Sequence, residues 1–200
     1  MKYVHSAIFR LIVILAMGTL LSATTVIPMS VEELTSAATH IVRGHVLESW
    51  SAWDTSHKLI YTYTRFQTDE SLKGTTDPVV LVKQLGGTVA EGTLHVAGVH
   101  PWSNGESAVL FLRPSQDQDG SFAVVGLMQG DFRVRRSASG EMIADNGLQS
   151  ATAMYMSPAA DVHAYSPATN QVTAYGGSQL KLGDLETRIR SAVSGGKNLQ

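Results

Sequence analysis

The stretch IYTYTRFQTDESLK, residues 60 to 73, constrains the fold of this 200-residue chain more than any other stretch. Side chains of a β-strand point alternately to the two faces of a sheet. Ile60 and Phe66 therefore share one face with threonines, and Tyr61 and Tyr63 share the other with polar residues. A half-buried strand of this length coils strongly, and coiled antiparallel strands close most readily into small barrels. The stretch predicts a scaffold strand with Ile60 and Phe66 in a barrel core.

Further runs of apolar and β-branched residues indicate the other strands. The run at residues 40 to 54 contains Gly44, at which a bulge or a tight bend is expected. The other runs lie at residues 78–87, 107–114, 122–136 and 140–145. Turn sequences such as SNGE, SQDQDG and SASG separate several of them. Together they predict a mainly β fold, a small antiparallel OB-like barrel of five to seven strands.

Two helices are predicted to flank this barrel. Ser30 is the expected N-cap of a short helix that ends near Thr39, with Glu33 as its capping-box partner. Asp184 is the expected N-cap of a last helix, whose apolar stripe includes Leu185 and Ile189. The predicted organisation is a signal peptide at 1–23, a barrel domain with its N-terminal helix at 24–145, and a loose extension at 146–200 that ends in a docking helix.

The N-terminus has the pattern of a secretory signal peptide. Lys2 and Arg10 precede an apolar run at residues 11 to 21, and the small residues Ser22 and Ala23 follow it. Cleavage after Ala23 would give an exported protein, periplasmic or extracellular, with no membrane segment left. An uncleaved membrane anchor is the alternative interpretation, although the run is shorter than the roughly 20 residues that span a bilayer.

Composition excludes several classes of protein. The chain has no cysteine, so it has no disulfides, no thiolate metal site and no lipid-modified cysteine. Fifteen Lys and Arg against seventeen Asp and Glu give a formal charge of -2, without a basic block that could follow a phosphate backbone. Nucleic acid is therefore not an expected partner. The densest basic cluster, Arg133, Arg135 and Arg136, is interpreted as a solvated strand face.

Three segments carry a resemblance to known families: ELTSAATHIVRGHVLESWS, IYTYTRFQTDESLKG and VKQLGG. They resemble a group of uncharacterised exported bacterial proteins and, more distantly, the netrin-like domains of metalloproteinase inhibitors. The resemblance implies an OB-type barrel over residues 33 to 135. In those inhibitors an N-terminal cysteine chelates the protease zinc, and this chain has none, so that mechanism cannot operate here. The matching residues are Ala38, Ile41, Gly44, Val46, Leu72, Lys73 and Gly74. Local chemistry also accounts for the last two, since Gly74 allows a turn with positive φ and Lys73 keeps the end of the strand soluble.

No motif identifies a reaction. The sequence contains no nucleophile elbow, phosphate loop or dinucleotide fingerprint, and we expect neither catalytic residues nor a cofactor. The histidines show no zinc-motif spacing, so no metal ligand is predicted. A site assembled from distant residues, such as His45, His95 and Asp131, is the alternative that would make the protein a metal-dependent hydrolase. Met154, Met156 and nearby His163 would suit a cuprous ion, but three such residues are too few, and the methionines are interpreted as packing onto an apolar wall. DQDG at 117–120 is interpreted as a turn rather than a calcium loop.

The clustered aromatic residues are the most informative feature for function. They are Trp50, Trp53, Tyr61, Tyr63 and Trp102. If they form one exposed patch, they make a binding surface for a protein or a cell-envelope ligand. The favoured arrangement is instead that the extension from Asn146 onward, or its helix, covers them, because a helix with an apolar stripe must bury that face. The leading interpretation is an exported non-enzymatic binding module, and a secreted protease inhibitor is a further alternative that rests on fold analogy.

Overall fold

A computed structural model describes residues 28–96, 99, 101–117, 119–147 and 179–196. The predicted signal peptide and most of the predicted loose extension lie outside the described residues. The helices are α1 (Val31–Ala37) and α2 (Leu182–Gly196). The strands are β1 (His40–Trp53), β2 (Ile60–Lys73), β3 (Val79–Leu85), β4 (Gly87–Val89), β5 (Gly92–Leu94), β6 (Ser107–Pro114), β7 (Phe122–Val124), β8 (Asp131–Arg136), β9 (Met142–Asp145) and β10 (Gln179–Lys181).

Five strands close into a barrel in the order β1-β2-β3-β7-β6, because β6 also pairs with β1. The predicted OB-like barrel is therefore confirmed. The strands of the barrel were predicted to be antiparallel, and one pair is an exception: β3 and β7 run parallel, with Val82 opposite Phe122. The edge of β6 opposite β1 is divided: its first half pairs with β8 and its second half with β7. Strands β8, β9 and β10 extend the sheet beyond the barrel.

The two-faced character of β2 is as predicted. Ile60 and Phe66 are buried. Arg65, which points to the opposite face of the strand, is exposed. Phe66 lies in an inner core that fills the barrel. The members of the inner core are Val42, Val46, Phe66, Val80, Val82, Trp102, Ala108, Leu110, Leu112 and Val124. Burial of these apolar side chains supplies the hydrophobic stabilisation of the barrel.

A second core lies between the outside of the barrel and the two helices. Ser30 caps α1 through the predicted capping box with Glu33. Leu185 and Ile189 of α2 are fully buried, as their stripe predicted. Helix α2 begins two residues before Asp184, so Asp184 lies in its first turn and is not the N-cap. This outer core contains Val31, Leu34, Ala38, Ile41, Leu72, Val109, Phe111, Val125, Phe132, Ala144, Leu185 and Ile189.

Within the described ranges, neither helix has the length and apolar character needed to cross a membrane.

The Lys73-Gly74 pair joins the end of β2 to α1. Gly74 has φ +72°, as expected for a turn glycine. The sequence interpretation of Lys73 as a solubilising strand end is wrong: its Nζ donates to the carbonyl oxygens of Thr35 and Ala38, each at 2.6 Å. Because the last carbonyls of a helix lack partners within it, this ammonium group satisfies them and complements the helix dipole. The motif fixes α1 on the barrel.

Gly44 sets the path of β1 across β2. The pairing of the two strands shifts register between Arg43 and Gly44, which confirms the predicted irregularity. A Cβ at position 44 would overlap the carbonyl oxygen of Gln67 and lie 2.8 Å from a ring carbon of Phe66. The space that a side chain would need is therefore filled by the backbone of the neighbouring strand.

We predict that Gly44→Ala lowers the free energy of unfolding by about 3 kcal/mol or more, because β1 must move away from β2 and open the inner core. Urea unfolding followed by circular dichroism measures this. Gly92→Ala is the matched control, since no atom lies within 4 Å of its added Cβ, and it should change stability by less than about 1 kcal/mol. Equal effects of the two substitutions would contradict the packing described here.

Candidate functional site

Three of the predicted aromatic residues meet on the outer face of β1 and β2. Trp50 lies directly opposite Tyr63 in the register, and Tyr61 lies opposite Ala52. The rings of Trp50 and Tyr63 stack with centroids 5.8 Å apart and an angle of 17° between their planes. Trp50 remains 43% exposed, whereas the two tyrosines are half-buried. We call Trp50, Tyr61 and Tyr63 the outer aromatic surface.

Lys83 of β3 holds the two tyrosines in place. Its Nζ lies 4.5 Å from the ring centroid of Tyr61 and 5.3 Å from that of Tyr63. The same atom donates to the carboxylates of Asp117 at 2.7 Å and Asp119 at 3.2 Å. Burial alone would lower the pKa of Lys83, but the bonds to both aspartates outweigh burial and raise the pKa above its ordinary value. The cation is thus fixed beneath the aromatic surface.

The DQDG segment forms part of this arrangement rather than an open calcium loop. Asp119 accepts hydrogen bonds from the backbone N–H and the hydroxyl of Ser121, and it also accepts one from Lys83. The Ser121 hydroxyl, followed by its backbone N–H and by Lys83, lowers the pKa of Asp119 to about 2. These carboxylates therefore serve the turn and the lysine, in agreement with the predicted turn.

Trp53 lies at the far end of the same hairpin. Its ring stacks on His57 with centroids 6.1 Å apart, and its indole N–H donates to Glu91 at 3.4 Å. Asp54 closes the hairpin by accepting from the backbone of Leu59 and Lys58. The bond from Leu59, with that from the hydroxyl of Ser56, lowers the pKa of Asp54 to about 2. Trp53 lies opposite Ile60 in the register, so it belongs to the other face of the hairpin and the structure does not bring it into the outer aromatic surface.

Trp102 is not part of the outer aromatic surface. It is 7% exposed and packs in the inner core, with its ring centroid 5.7 Å from that of Phe66. Its indole N–H donates to Asp131 at 2.8 Å. The structure therefore places Trp102 inside the barrel, where a buried indole N–H finds a partner.

Helix α2 does not cover the outer aromatic surface. Its buried residues Leu185 and Ile189 belong to the outer core and pack against α1. Arg188 pairs with Glu32 of α1, which fixes the same orientation. The remainder of the extension that was considered as a cover, residues 148 to 178, lies outside the described residues.

A cavity of about 460 Å³ opens at the end of the barrel, next to the hairpin of β4 and β5. Sequence reasoning missed it, although one signal was present: the inward face of β2 changes from Phe66 to Thr64 and Thr62 along the strand. Gln84, on the neighbouring strand, interrupts an apolar run in the same way. Polar residues on the core-facing side of a strand can line a pocket as well as lie at a solvent-exposed edge of the sheet. The lining includes Ser49, Ser51, Thr62, Gln84, Thr88, Trp50 and Trp102.

The residues considered for metal binding do not come together in the described part of the chain. It contains no group of three or more His, Asp or Glu side chains arranged to hold a metal ion. His45 contacts Asp69 at 3.3 Å, and Asp131 binds Trp102. His100, His163 and the Met154 to Met156 segment lie outside the described residues.

No protein-family model matches the sequence, and a search of curated proteins finds no similar one. The resemblance to netrin-like domains therefore stays a prediction from the motifs around Gly44 and Lys73. The fold itself rests on the strand pairing described above.

We predict that Asp119→Asn reduces the acid sensitivity of folding. Because the pKa of Asp119 falls from 3.8 to about 2 on folding, its stabilising effect is complete above about pH 4 and is lost as the pH falls toward 2. The variant should be less stable than the wild type at pH 6 and should lose less stability between pH 4 and pH 2. Urea unfolding at these pH values measures both. A parallel pH dependence in the two proteins would contradict the assigned pKa.

Proposed function

We propose that the protein is an exported, non-enzymatic binding module that recognises a protein ligand through the outer aromatic surface. The observation that carries the proposal is the stacked Trp50–Tyr63 pair, in which Trp50 is 43% exposed on an otherwise ordered sheet. Tryptophan and tyrosine are enriched among the residues that dominate binding energy in protein interfaces. Export rests on the signal-peptide pattern of residues 1 to 23.

The surroundings of this surface support a protein ligand rather than a lipid or nucleic acid. The pair formed by Glu48 and Arg65 at 2.8 Å borders it on one side, and exposed Leu47 and Leu59 add apolar area along the hairpin. An aromatic centre with a charged rim is the usual anatomy of a protein interface. A membrane surface would instead be met by a cluster of Lys and Arg.

Preorganisation strengthens the proposal. Tyr63 is held between Trp50 on one strand and Lys83 on the other, so little side-chain freedom remains to be lost on binding. Rigid aromatic side chains provide contact area at a low entropy cost, which favours affinity. The pairing of Lys83 with Asp117 and Asp119 keeps its charge from repelling a ligand.

We predict that Trp50→Ala weakens partner binding at least about 30-fold, equivalent to about 2 kcal/mol, because the centre of the contact is lost. A photo-crosslinking residue at position 52, opposite Tyr61, identifies the partner in the exporting cell. Isothermal titration with that purified partner then compares the variants.

Met142→Ala is the matched control, because Met142 is 36% exposed on β9 and lies outside the outer aromatic surface. It should leave the dissociation constant within about twofold, as expected for a residue outside the contact. Loss of affinity in both variants, or in neither, would contradict recognition through Trp50. Circular dichroism confirms that each variant is folded.

A further inference from the structure

The cavity at the end of the barrel is built by a close approach of the β4–β5 hairpin. Gly87 follows Gly86, and both have positive φ, +139° and +104°. A Cβ at Gly87 would overlap the hydroxyl groups of Ser51 and Thr62, so only glycine lets the hairpin backbone lie this close to them. The hairpin therefore forms one wall of a cavity of about 460 Å³, which is within the range of small-molecule sites.

Most hydroxyl groups in this cavity are already used inside the protein. Thr62 donates to the carbonyl of Gly86 and contacts Ser51 at 3.0 Å. Ser51 also accepts from the backbone N–H of Thr88 at 3.3 Å. A hydroxyl has a single hydrogen, so Thr62 and Ser51 together have no donor left for a ligand. They shape the wall of the cavity.

Gln84 is different. Its residue is 9% exposed, it lies opposite Thr62 in the register, and it lines the cavity. Its side-chain amide makes no hydrogen bond to another described residue. The amide atoms are also not among the fully buried polar atoms that lack a partner, so they face the open space of the cavity. The two N–H donors and the carbonyl oxygen of this amide are therefore available to a molecule in the cavity. A molecule bound in the cavity can form hydrogen bonds with this amide.

The other walls decide the chemistry of that molecule. Among the described residues the lining has no Asp, Glu, Lys or Arg, and His95 is its one ionisable side chain, so the cavity favours a neutral ligand over a charged one. Opposite the polar side chains, Trp102 and the aliphatic residues Leu94 and Val96 supply apolar surface. A pyranose ring combines neutral hydroxyl groups that both donate and accept with an apolar face of C–H groups, which matches both kinds of wall.

We propose that this cavity is a binding site for a neutral saccharide unit, with the Gln84 amide as the principal hydrogen-bonding group. The inference goes beyond the proposed function, because it assigns a small-molecule ligand to the cavity at the end of the barrel. Trp50 of the outer aromatic surface also lines this cavity, but Gln84 does not belong to that surface. Its specificity would come from Gln84, since an analogue that cannot pair with a buried amide is rejected most strongly.

Gln84 also lines a second cavity of about 390 Å³, whose walls include the charged residues Lys83, Arg113 and Asp117. The two cavities make different demands on a ligand, because the second one favours a molecule with charges. Gln116 lines only the second cavity, which makes Gln116→Ala a control for Gln84→Met.

The test uses isotope-labelled protein purified after export, so that any leader has been removed by the cell. Glucose, galactose and N-acetylglucosamine are each added up to about 20 mM, and the amide signals are followed by NMR. We expect saturable shifts of the Gln84 side-chain amide and the Trp102 indole with at least one of these sugars. Gln84→Met, which keeps the side-chain length, should weaken that binding about tenfold or more, whereas Gln116→Ala should leave it unchanged. Glucuronate should bind more weakly than glucose, because the cavity favours a neutral ligand.

Three results would overturn the proposal. The first is the absence of any saturable shift at Gln84 in the wild-type protein, a result that does not depend on a variant folding. The second is sugar binding that Gln84→Met leaves intact. The third is loss of binding in Gln116→Ala or equal binding of glucuronate, since either would place the ligand in the second cavity.

Discussion

The passage of β1 across β2 at Gly44 is the constraint on which the rest of the structure depends. Strand β1 pairs with β2 along one edge and with β6 along the other, so it must coil to close the barrel. The missing side chain at position 44 lets the backbone of Gln67 and the ring of Phe66 approach. Once the barrel is closed, its outer side carries the aromatic residues at one end of β1 and the helices at the other.

Much of this fold could be predicted from the chain itself. Alternation placed Ile60 and Phe66 in the core, and the capping box placed Ser30 at the start of α1. What could not be predicted depends on long-range contacts. The role of Lys73 requires the helix carbonyls that only the folded chain brings within 2.6 Å of its ammonium group. Local chemistry offers only a solubilising role for the same lysine.

The candidate site was predictable only in part, for a similar reason. Trp50, Tyr61 and Tyr63 share a face because strand periodicity requires it. Trp102 follows no strand pattern of its own, and its burial depends on the partners that the barrel supplies, Phe66 and Asp131. The cavity at the barrel end is formed by a hairpin that packs on distant hydroxyl groups. No spacing in the sequence expresses that proximity.

The two faces of β2 can be tested directly, since the chain has no cysteine of its own. Single variants Thr64→Cys and Arg65→Cys place a thiol at adjacent positions, one 1% exposed and the other on the solvent side. The measurement is the rate of thiol labelling in native buffer. We expect rapid labelling at position 65, and at position 64 labelling only as fast as the protein opens. Equal rates, or faster labelling at position 64, would contradict a closed barrel with this strand in its wall.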